Sequence, residues 1–368
     1  MRVLHVLAQL PMRTGSGVSF KNRVEGLARR GVENALIYGT QEPYEIDFGM
    51  TSYPVVFKTD EINFPIVGMS DEMPYENTLY SKMSETMIST WQNAFLKRLE
   101  KAKAEFKPDI VISHHLWFLT SMVLDVFKGT PVIGISHGTD IRQAQQNNHL
   151  RYKYVKNLNR LDHVLALSNK EKKEVVEIFN VDEDKITIVG GGFDQDIFYD
   201  NGKEKKDDVT RIVFAGKLAR SKGIYELDKA FPNLKRKFPK LRMFFIGTTS
   251  QVEEAILYEN AHFCPGFKSC DVVNQEKLGK IMRRADIFVL PSYYEGLGLT
   301  AIEALACKMR VVATEIPGLM ELLGDDVNNS NVIEYVKPPK IYDTDKPQKS
   351  HIDPFVERLE LALEKQIL

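Results

Sequence analysis

The chain contains few cysteines, namely Cys264, Cys270 and Cys307 among 368 residues. An odd number of cysteines without a regular spacing argues against a disulfide scaffold, and no two of them have the CxxC spacing of a zinc site. We therefore interpret all three as unpaired thiols in a reducing compartment.

The chain also lacks an excess of charge of either sign and any long hydrophobic run. Its 49 basic and 50 acidic residues leave a formal net charge of −1, which gives no general attraction to nucleic acid. No apolar segment approaches the roughly 18 residues of a membrane span. The N-terminus lacks the cleavage site of a signal peptide. We expect a cytoplasmic protein, at most peripheral to a membrane, without a transmembrane segment or a nucleic-acid partner.

Short runs of Val, Ile and Leu alternate with amphipathic stretches of helical length in both halves of the chain. The short runs show little period-two alternation, which is typical of strands buried on both faces of a parallel sheet. The predicted strands are residues 3–7, 35–38, 109–113, 132–136, 163–167, 186–189, 212–215, 243–246, 262–264, 287–290, 311–313 and 332–335. The predicted helices are residues 20–30, 89–105, 170–178, 224–237 (interrupted near Pro232), 252–259, 275–284, 300–306 and 353–368. This pattern predicts an α/β protein with two Rossmann-like, doubly wound domains.

A charged segment, residues 200–208, contains no apolar residue and is interpreted as a solvated linker. It separates a predicted first domain, residues 1–200, from a second domain, residues 201–350. Ligands of such sheets bind at the carboxyl ends of the parallel strands, so two facing domains predict a cleft between them.

The segment PSYYEGLGLT, residues 291–300, follows a predicted strand and leads into a predicted helix. Gly296 and Gly298 allow a tight loop, and free N–H groups at the start of a helix favour a phosphate. Glu295 is placed to accept hydrogen bonds from a sugar, and Glu303 suits a ribose diol. Taken alone, the segment is equally compatible with a glycine turn between two solvated glutamates.

The segment FAGKLARSKG, residues 214–223, follows the first strand of the second half. Lys217 and Lys222 flank a predicted helix start, where the helix dipole disfavours cations. Their position therefore indicates a bound anion, although two exposed surface lysines remain the alternative. Ser221 is a candidate N-cap of this helix.

Two weaker motifs lie at strand ends in the first half. In SHGTD, residues 136–140, His137 suits a hydrogen bond to a sugar hydroxyl or proton exchange near neutral pH, and the alternative is a turn shaped by Asp140. Gly15 and Gly17 fit either a phosphate seat or a simple turn, since GxGxxG is incomplete. The adjacent pair at 114–115 should point in opposite directions on an extended segment, so no metal is expected there.

Taken together, these segments resemble glycosyltransferase family 4, the retaining enzymes of the two-Rossmann GT-B fold. Glu295 and Glu303 match the E-x7-E signature of that family, and GKLARSKG resembles its phosphate loop. SHGTD resembles its HGTD-type loop, and residues 192–194 resemble its NGVD segment. The resemblance covers nearly the whole chain, with the motifs in the correct order.

The chain departs from the family pattern at three places. Lys217 replaces the usual arginine of the phosphate loop, which keeps the charge and loses the bidentate fork. Gly191 replaces the NGVD asparagine, and residues 308–310 read KMR where the family often has Gly-x-Pro. Since both glutamates are present, we interpret these changes as variation in the donor pocket.

The resemblance implies transfer of a hexose-type sugar from a nucleoside diphosphate sugar to a hydroxyl acceptor, with retention of configuration. It implies no metal and no cofactor besides the donor. The leaving phosphate would itself take the proton of the acceptor. The final helix, residues 351–368, would cross back onto the first domain.

The resemblance also assigns roles to individual residues. Glu295, His137 and Lys222 would act at the reaction centre. The donor would be bound by the side chains or backbone of Gly15, Gly17, Lys217, Lys222, Gly296, Leu297, Gly298, Leu299 and Glu303.

Other functions remain open. They are a nucleotide-sugar epimerase, a sugar phosphorylase and an inactive nucleotide-sugar-binding module of the same fold. A Rossmann dehydrogenase is disfavoured by the missing glycine spacing. The acceptor (a glycan, a lipid-linked sugar, a peptide or a small molecule) is not identified. The aromatic-rich segment 44–86 is predicted to line the acceptor side, and the alternative is a lid packed on its own aromatic residues.

Overall fold

The structure is a computed structural model that describes residues 1–10, 14–43, 47–70, 73, 75–202, 207–247, 267–270 (backbone only), 274–342 and 346–368. It contains two compact units, Met1–Val189 and Gly190–Leu368. The predicted helix at 252–259 and the predicted strand at 262–264 lie outside the described residues. Within the described part, no helix is both long and apolar enough to span a membrane.

A parallel sheet of seven strands forms the centre of the first unit, in the order β3-β2-β1-β6-β7-β8-β9. Its strands are β1 (Arg2–Leu7), β2 (Glu33–Thr40), β3 (Thr51–Val56), β6 (Ile110–His114), β7 (Val132–Ile135), β8 (His163–Ala166) and β9 (Ile186–Ile188). Two short strands, β4 (Val67–Gly68) and β5 (Thr78–Leu79), pair with each other. The helices are α1 (Gly15–Ala28), α2 (Glu85–Glu105), α3 (Phe118–Val126), α4 (Thr139–Gln146), α5 (Asn148–Tyr154) and α6 (Asn169–Phe179).

A second parallel sheet, of six described strands, forms the centre of the second unit in the order β12-β11-β10-β13-β14-β15. Its strands are β10 (Thr210–Ala215), β11 (Leu241–Ile246), β12 (Phe267–Cys270), β13 (Ile287–Leu290), β14 (Arg310–Thr314) and β15 (Ile333–Val336). A small hairpin contains β16 (Ile341–Tyr342) and β17 (Lys346–Pro347). The described helices are α7 (Ile224–Lys237), α8 (Gln275–Met282), α9 (Leu299–Ala306), α10 (Pro317–Asn328) and α11 (Ile352–Ile367). The α/β class and the two doubly wound sheets confirm the predicted fold class.

The second unit begins at Gly190, about ten residues before the predicted domain boundary. Residues 197–199, which precede the predicted linker, pack onto the second unit. Phe198 is fully buried, and the carbonyl oxygen of Ile197 accepts a hydrogen bond from Arg283. The guanidinium of Arg283 also stacks over Tyr199, 4.4 Å from its ring centroid.

The C-terminal helix α11 also differs from its predicted placement. It packs against α7, β14 and β15, which all belong to the second unit. Phe355, Leu359 and Leu363 lie fully buried in the core cluster of that unit. The helix is amphipathic because its apolar face is buried in the core of the second unit.

The segment 44–86 contributes to the first unit's core instead of forming an open surface. Residues 44–46, 71, 72 and 74 of the segment lie outside the described residues. In the described part, β3 extends the sheet by pairing with β2, and the side chains of Phe57, Met69, Tyr75 and Tyr80 are buried. These four side chains, three of them aromatic, pack into the core of the first unit, and the acceptor-side role of the segment stays a prediction.

Candidate functional site

Two loops of the second unit meet at the carboxyl ends of β10 and β13. These strands are neighbours in the parallel sheet, so their ends lie at the same edge. The backbone N–H of Tyr293 donates to the carbonyl oxygen of Ser221 at 2.9 Å, which joins the loops. Gly223 has φ of +67°, and a Cβ atom there would lie 2.1 Å from the Pro291 carbonyl oxygen. Glycine is thus required for this close approach.

Lys222 and Glu295, one from each loop, form an ion pair with Nζ and Oε1 2.7 Å apart. The hydroxyl of Ser292 donates to the same carboxylate oxygen at 2.8 Å. The carbonyl of Ser292 accepts a hydrogen bond from Thr314 at 2.7 Å, which anchors the loop to β14. The two charged side chains remain 25% and 19% exposed, so a ligand can reach them. Sequence reasoning selected both charged residues but missed Ser292 and Thr314, which carry no motif of their own.

Helix α9 begins directly after the second loop. Gly298, with φ of +69°, is its N-cap and provides no side-chain cap. The N–H of Ala301 donates to the carbonyl oxygen of Gly298 at 2.9 Å, so the N–H groups of Leu299 and Thr300 are the ones without a partner inside the helix. Leu297 is buried beneath this turn, whereas Gly296 is exposed.

Glu303 lies one turn further along α9 and is almost fully buried. Burial raises the pKa of its carboxyl group to about 7. Within the described part of the chain, the amide nitrogen of Gln275 donates to its Oε1 atom over a long distance, 3.5 Å. Both carboxyl oxygens thus retain the capacity to accept hydrogen bonds from hydroxyl groups.

The phosphate-loop segment differs from the prediction in one detail. Residues 220–222 form a 3-10 turn, and Gly223 rather than Ser221 occupies the N-cap position of α7. Ser221 instead contributes its carbonyl to the contact between the loops. Lys217 is half-buried at the beginning of this segment, and its carbonyl accepts a hydrogen bond from Ala219 at 3.0 Å.

In the first unit, the predicted histidine loop follows β7. Asp140 is fully buried there, and its Oδ1 atom accepts hydrogen bonds from the backbone N–H of His137 and the hydroxyl of Ser136, both at 3.2 Å. Its Oδ2 atom accepts one from the backbone N–H of Leu116 at 2.8 Å. The alternative interpretation of Asp140, a residue that shapes the turn, is confirmed. His137 as a whole is half-buried.

The histidines at 114 and 115 do not point apart as the extended-segment argument expects. His115 has φ of +70°, which ends β6 with a left-handed turn. This turn brings both rings against His137, with centroids 5.3 Å and 4.7 Å from its ring. In the part of the chain that the structure describes, no group of three or more His, Cys, Asp or Glu side chains is arranged to hold a metal ion.

Gly15 and Gly17 lie in the first turn of α1, which starts five residues earlier than predicted. The hydroxyl of Thr14 caps this turn by accepting the N–H of Gly17 at 3.1 Å. The simple-turn interpretation is therefore wrong, since the glycines belong to a helix N-terminus. Because glycine has a low helix propensity, the sequence pattern did not predict this first turn of α1.

Two family models match consecutive parts of the chain. The model described as Glycosyltransferase Family 4 matches residues 13–197. The model described as Glycosyl transferases group 1 matches residues 195–340. A curated relative, an uncharacterized glycosyltransferase of Methanocaldococcus jannaschii, is 32% identical over 181 residues, which cover 45% of each chain. The chain thus spans less than half of that relative's length.

Solved structures of similar fold cover the complete chain. Sucrose-phosphate synthase from Thermosynechococcus elongatus superimposes with a TM-score of 0.71 at 15% identity, covering 100% of this chain and 90% of that one. Anabaena HepE, solved in complex with UDP and glucose, superimposes with a TM-score of 0.62 at 14% identity, covering 99% and 93%. At such low identity these structures establish the fold alone, which is the GT-B type with two Rossmann-like domains.

Proposed function

Because the chain belongs to glycosyltransferase family 4, we propose that it transfers a hexose-type sugar from a nucleoside diphosphate sugar to a hydroxyl acceptor, with retention of configuration. The observation that carries this proposal is the Lys222–Glu295 ion pair beside the uncapped start of α9. The complex of Anabaena HepE with UDP and glucose supports the donor class by analogy of fold.

Donor binding exchanges the partners of the ion pair. The diphosphate is the stronger anion, so it takes Lys222 together with Lys217 and the first N–H groups of α9. Glu295 is then free to accept hydrogen bonds from hydroxyl groups of the sugar. The hydroxyl of Ser292, 2.8 Å from the carboxylate, keeps Glu295 in place during this exchange. Glu303 accepts hydrogen bonds from the ribose.

In the transfer step the acceptor oxygen attacks the anomeric carbon on the face that the diphosphate leaves. The bond from that carbon to the diphosphate oxygen breaks, and the acceptor proton passes to the departing phosphate. Negative charge develops on the diphosphate, and the lysines and the α9 terminus stabilise it in the transition state. The proposal requires no protein nucleophile, no metal and no cofactor beyond the donor.

The ion pair provides the direct test. We expect Lys222→Met and Glu295→Gln each to lower transfer by about 100-fold or more, the usual cost of removing one electrostatic contact to a transition state. Lys229→Met and Asp353→Asn are matched controls, because these residues form an exposed ion pair of similar length, 2.6 Å, in the same unit. The controls should retain turnover, measured as released nucleoside diphosphate and glycosylated product.

The products of the same assay distinguish the other functions. Near-wild-type turnover of either site variant would overturn the role assigned to the pair. A changed sugar without an acceptor would identify an epimerase, and a requirement for inorganic phosphate would identify a phosphorylase. Donor binding without turnover on any acceptor would identify an inactive binding module.

A further inference from the structure

A buried histidine, His114, stacks against the ring of His137. His114 is the last residue of β6 and is 1% exposed. Its Nδ1 atom lies 3.1 Å from Nε2 of His137, with the two rings nearly parallel at 16°. Strands β6 and β7 are neighbours that pair His114 with Ile135, two residues before His137. The register of the sheet therefore holds the two rings together.

Both rings are neutral, because burial lowers the pKa of each well below the ordinary value for histidine. A hydrogen bond between neutral imidazoles needs one protonated and one unprotonated nitrogen. Either His114 donates from Nδ1 to His137, or His137 donates from Nε2 to His114. The two arrangements leave the proton of His137 on different nitrogens.

The surroundings of His114 favour the first arrangement. Among the residues that the structure describes, its buried Nε2 atom has no hydrogen-bond partner. If His114 were the acceptor, this atom would carry a buried, unpaired N–H group. If His114 donates from Nδ1, the same atom carries only a lone pair.

His5, on the neighbouring strand β1, shows the same preference. The amide nitrogen of Asn34 donates to the carbonyl of Val32 at 2.9 Å, which leaves the amide oxygen facing His5. That oxygen must accept from Nε2 of His5, 3.0 Å away. Among the described residues, the remaining Nδ1 atom of His5 has no hydrogen-bond partner and is a buried lone pair. At His5, as in the first arrangement of His114, the unpaired buried nitrogen is therefore an acceptor.

We propose that His114 is a positioning residue that donates from Nδ1 to Nε2 of His137 and so fixes the proton of His137 on its Nδ1 atom. The exposed side of His137 is then a neutral N–H donor, suited to a lone pair on a sugar hydroxyl or ring oxygen. The identity of that ligand rests on the proposed function, whereas the tautomer does not.

The tautomer is measurable in the full-length protein without any ligand. Long-range proton–nitrogen correlation spectra of histidine-labelled protein distinguish protonated from unprotonated ring nitrogens, and single substitutions assign the signals. We expect His137 to be protonated at Nδ1 and His114 at Nδ1 at neutral pH. In His114→Leu, the His137 signals should change to the mixture of an unconstrained imidazole. A wild-type spectrum with His137 protonated at Nε2 would overturn the proposal.

Kinetics separate positioning from packing. The side-chain amide of asparagine places an N–H group near the position of a histidine Nδ1 atom, so His114→Asn should retain transfer. His114→Leu, which fills the space without donating, should lower kcat/KM by about five- to tenfold, the value of one hydrogen bond. His115→Asn is the matched control, since asparagine tolerates the left-handed backbone there and neither ring nitrogen of His115 has a hydrogen-bond partner among the described residues.

The spectroscopic test and the kinetic test have independent outcomes. If the spectra show the expected tautomer and His114→Leu still transfers at the wild-type rate, the role of His137 in donor binding is wrong and the hydrogen-bond assignment stands. If His114→Asn is as impaired as His114→Leu while both retain the wild-type melting temperature, the donated proton is not what matters, and the proposal is overturned.

Discussion

At the residue scale, burial of the Glu303 carboxylate lowers the stability of the folded protein, but it places a hydrogen-bond acceptor in the candidate site. Burial raises its pKa from 4.5 to about 7. The folded protein therefore binds more protons at this site than the unfolded chain between these two pH values. Stability falls as pH rises through that window and stays low above it. A buried carboxylate kept at such a cost is typical of a functional site.

Because the same carboxylate lowers stability and is proposed to bind the ribose, Glu303→Gln should affect the two properties in opposite directions. The raised pKa corresponds to roughly 3 kcal/mol of destabilisation at pH 8, which the neutral amide removes. We expect the variant to melt at a higher temperature than wild type at pH 8, with little difference at pH 5. Because the amide accepts fewer hydrogen bonds from a ribose, donor binding should weaken at the same time, as calorimetry can measure.

A control on the neighbouring helix isolates the effect of burial. Glu276→Gln removes an exposed carboxylate next to Gln275, so its stability should remain close to wild type at both pH values. A Glu303→Gln variant with the same stability difference at pH 5 and pH 8 would contradict the raised pKa.

The sequence predicted the chemically important residues better than their contacts. Glu295 and Lys222 follow from motif spacing and strand ends, but their mutual ion pair depends on the register between β10 and β13. The role of His114 could not be predicted, because the left-handed turn at His115 carries no glycine to signal it. Contacts set by long-range pairing or by unusual backbone angles leave little trace in local patterns.

At the element scale, strands buried on both faces were the most predictable feature. Their apolar runs match the observed strands of both sheets within a few residues, because a parallel sheet demands apolar side chains on both faces. Strands β3 and β12, each at the edge of its sheet, were missed, and β3 also contains Pro54. Helix α7 runs without interruption through Pro232, contrary to prediction. The buried face on both sides of the proline keeps the helix intact.

Helix α11 allows a matched test of packing. Leu359 is buried and Leu361 is 60% exposed on the same helix. We expect Leu359→Ala to destabilise the second unit by about 2–5 kcal/mol, because it leaves a cavity against α7. Leu361→Ala should change the stability by less than about 0.5 kcal/mol. Urea unfolding followed by far-UV circular dichroism measures both, and equal effects would contradict the packing of this helix.

At the scale of the whole molecule, the aromatic composition separates the two units spectroscopically. The chain has two tryptophans, and Trp91 and Trp117 are both buried in the core cluster of the first unit. Tryptophan fluorescence therefore reports on unfolding of the first unit, whereas circular dichroism reports on both units. Leu359→Ala should lower the transition seen by circular dichroism and leave the fluorescence transition in place.

The same two signals locate the nucleotide. The proposed contacts of the diphosphate and ribose lie on Lys222, α9 and Glu303, all in the second unit. A nucleoside diphosphate at about 100 times its Kd adds about 2.7 kcal/mol of stability, or roughly 5–10 °C for a unit of this size. We expect one of UDP, GDP, ADP and dTDP to raise the melting temperature followed by circular dichroism by this amount, and its base identifies the nucleotide of the donor.

Lys222→Met should abolish this rise in melting temperature, and the matched control Lys229→Met should retain it. A shift confined to tryptophan fluorescence, or one that survives in Lys222→Met, would place the nucleotide elsewhere and contradict the proposed donor site.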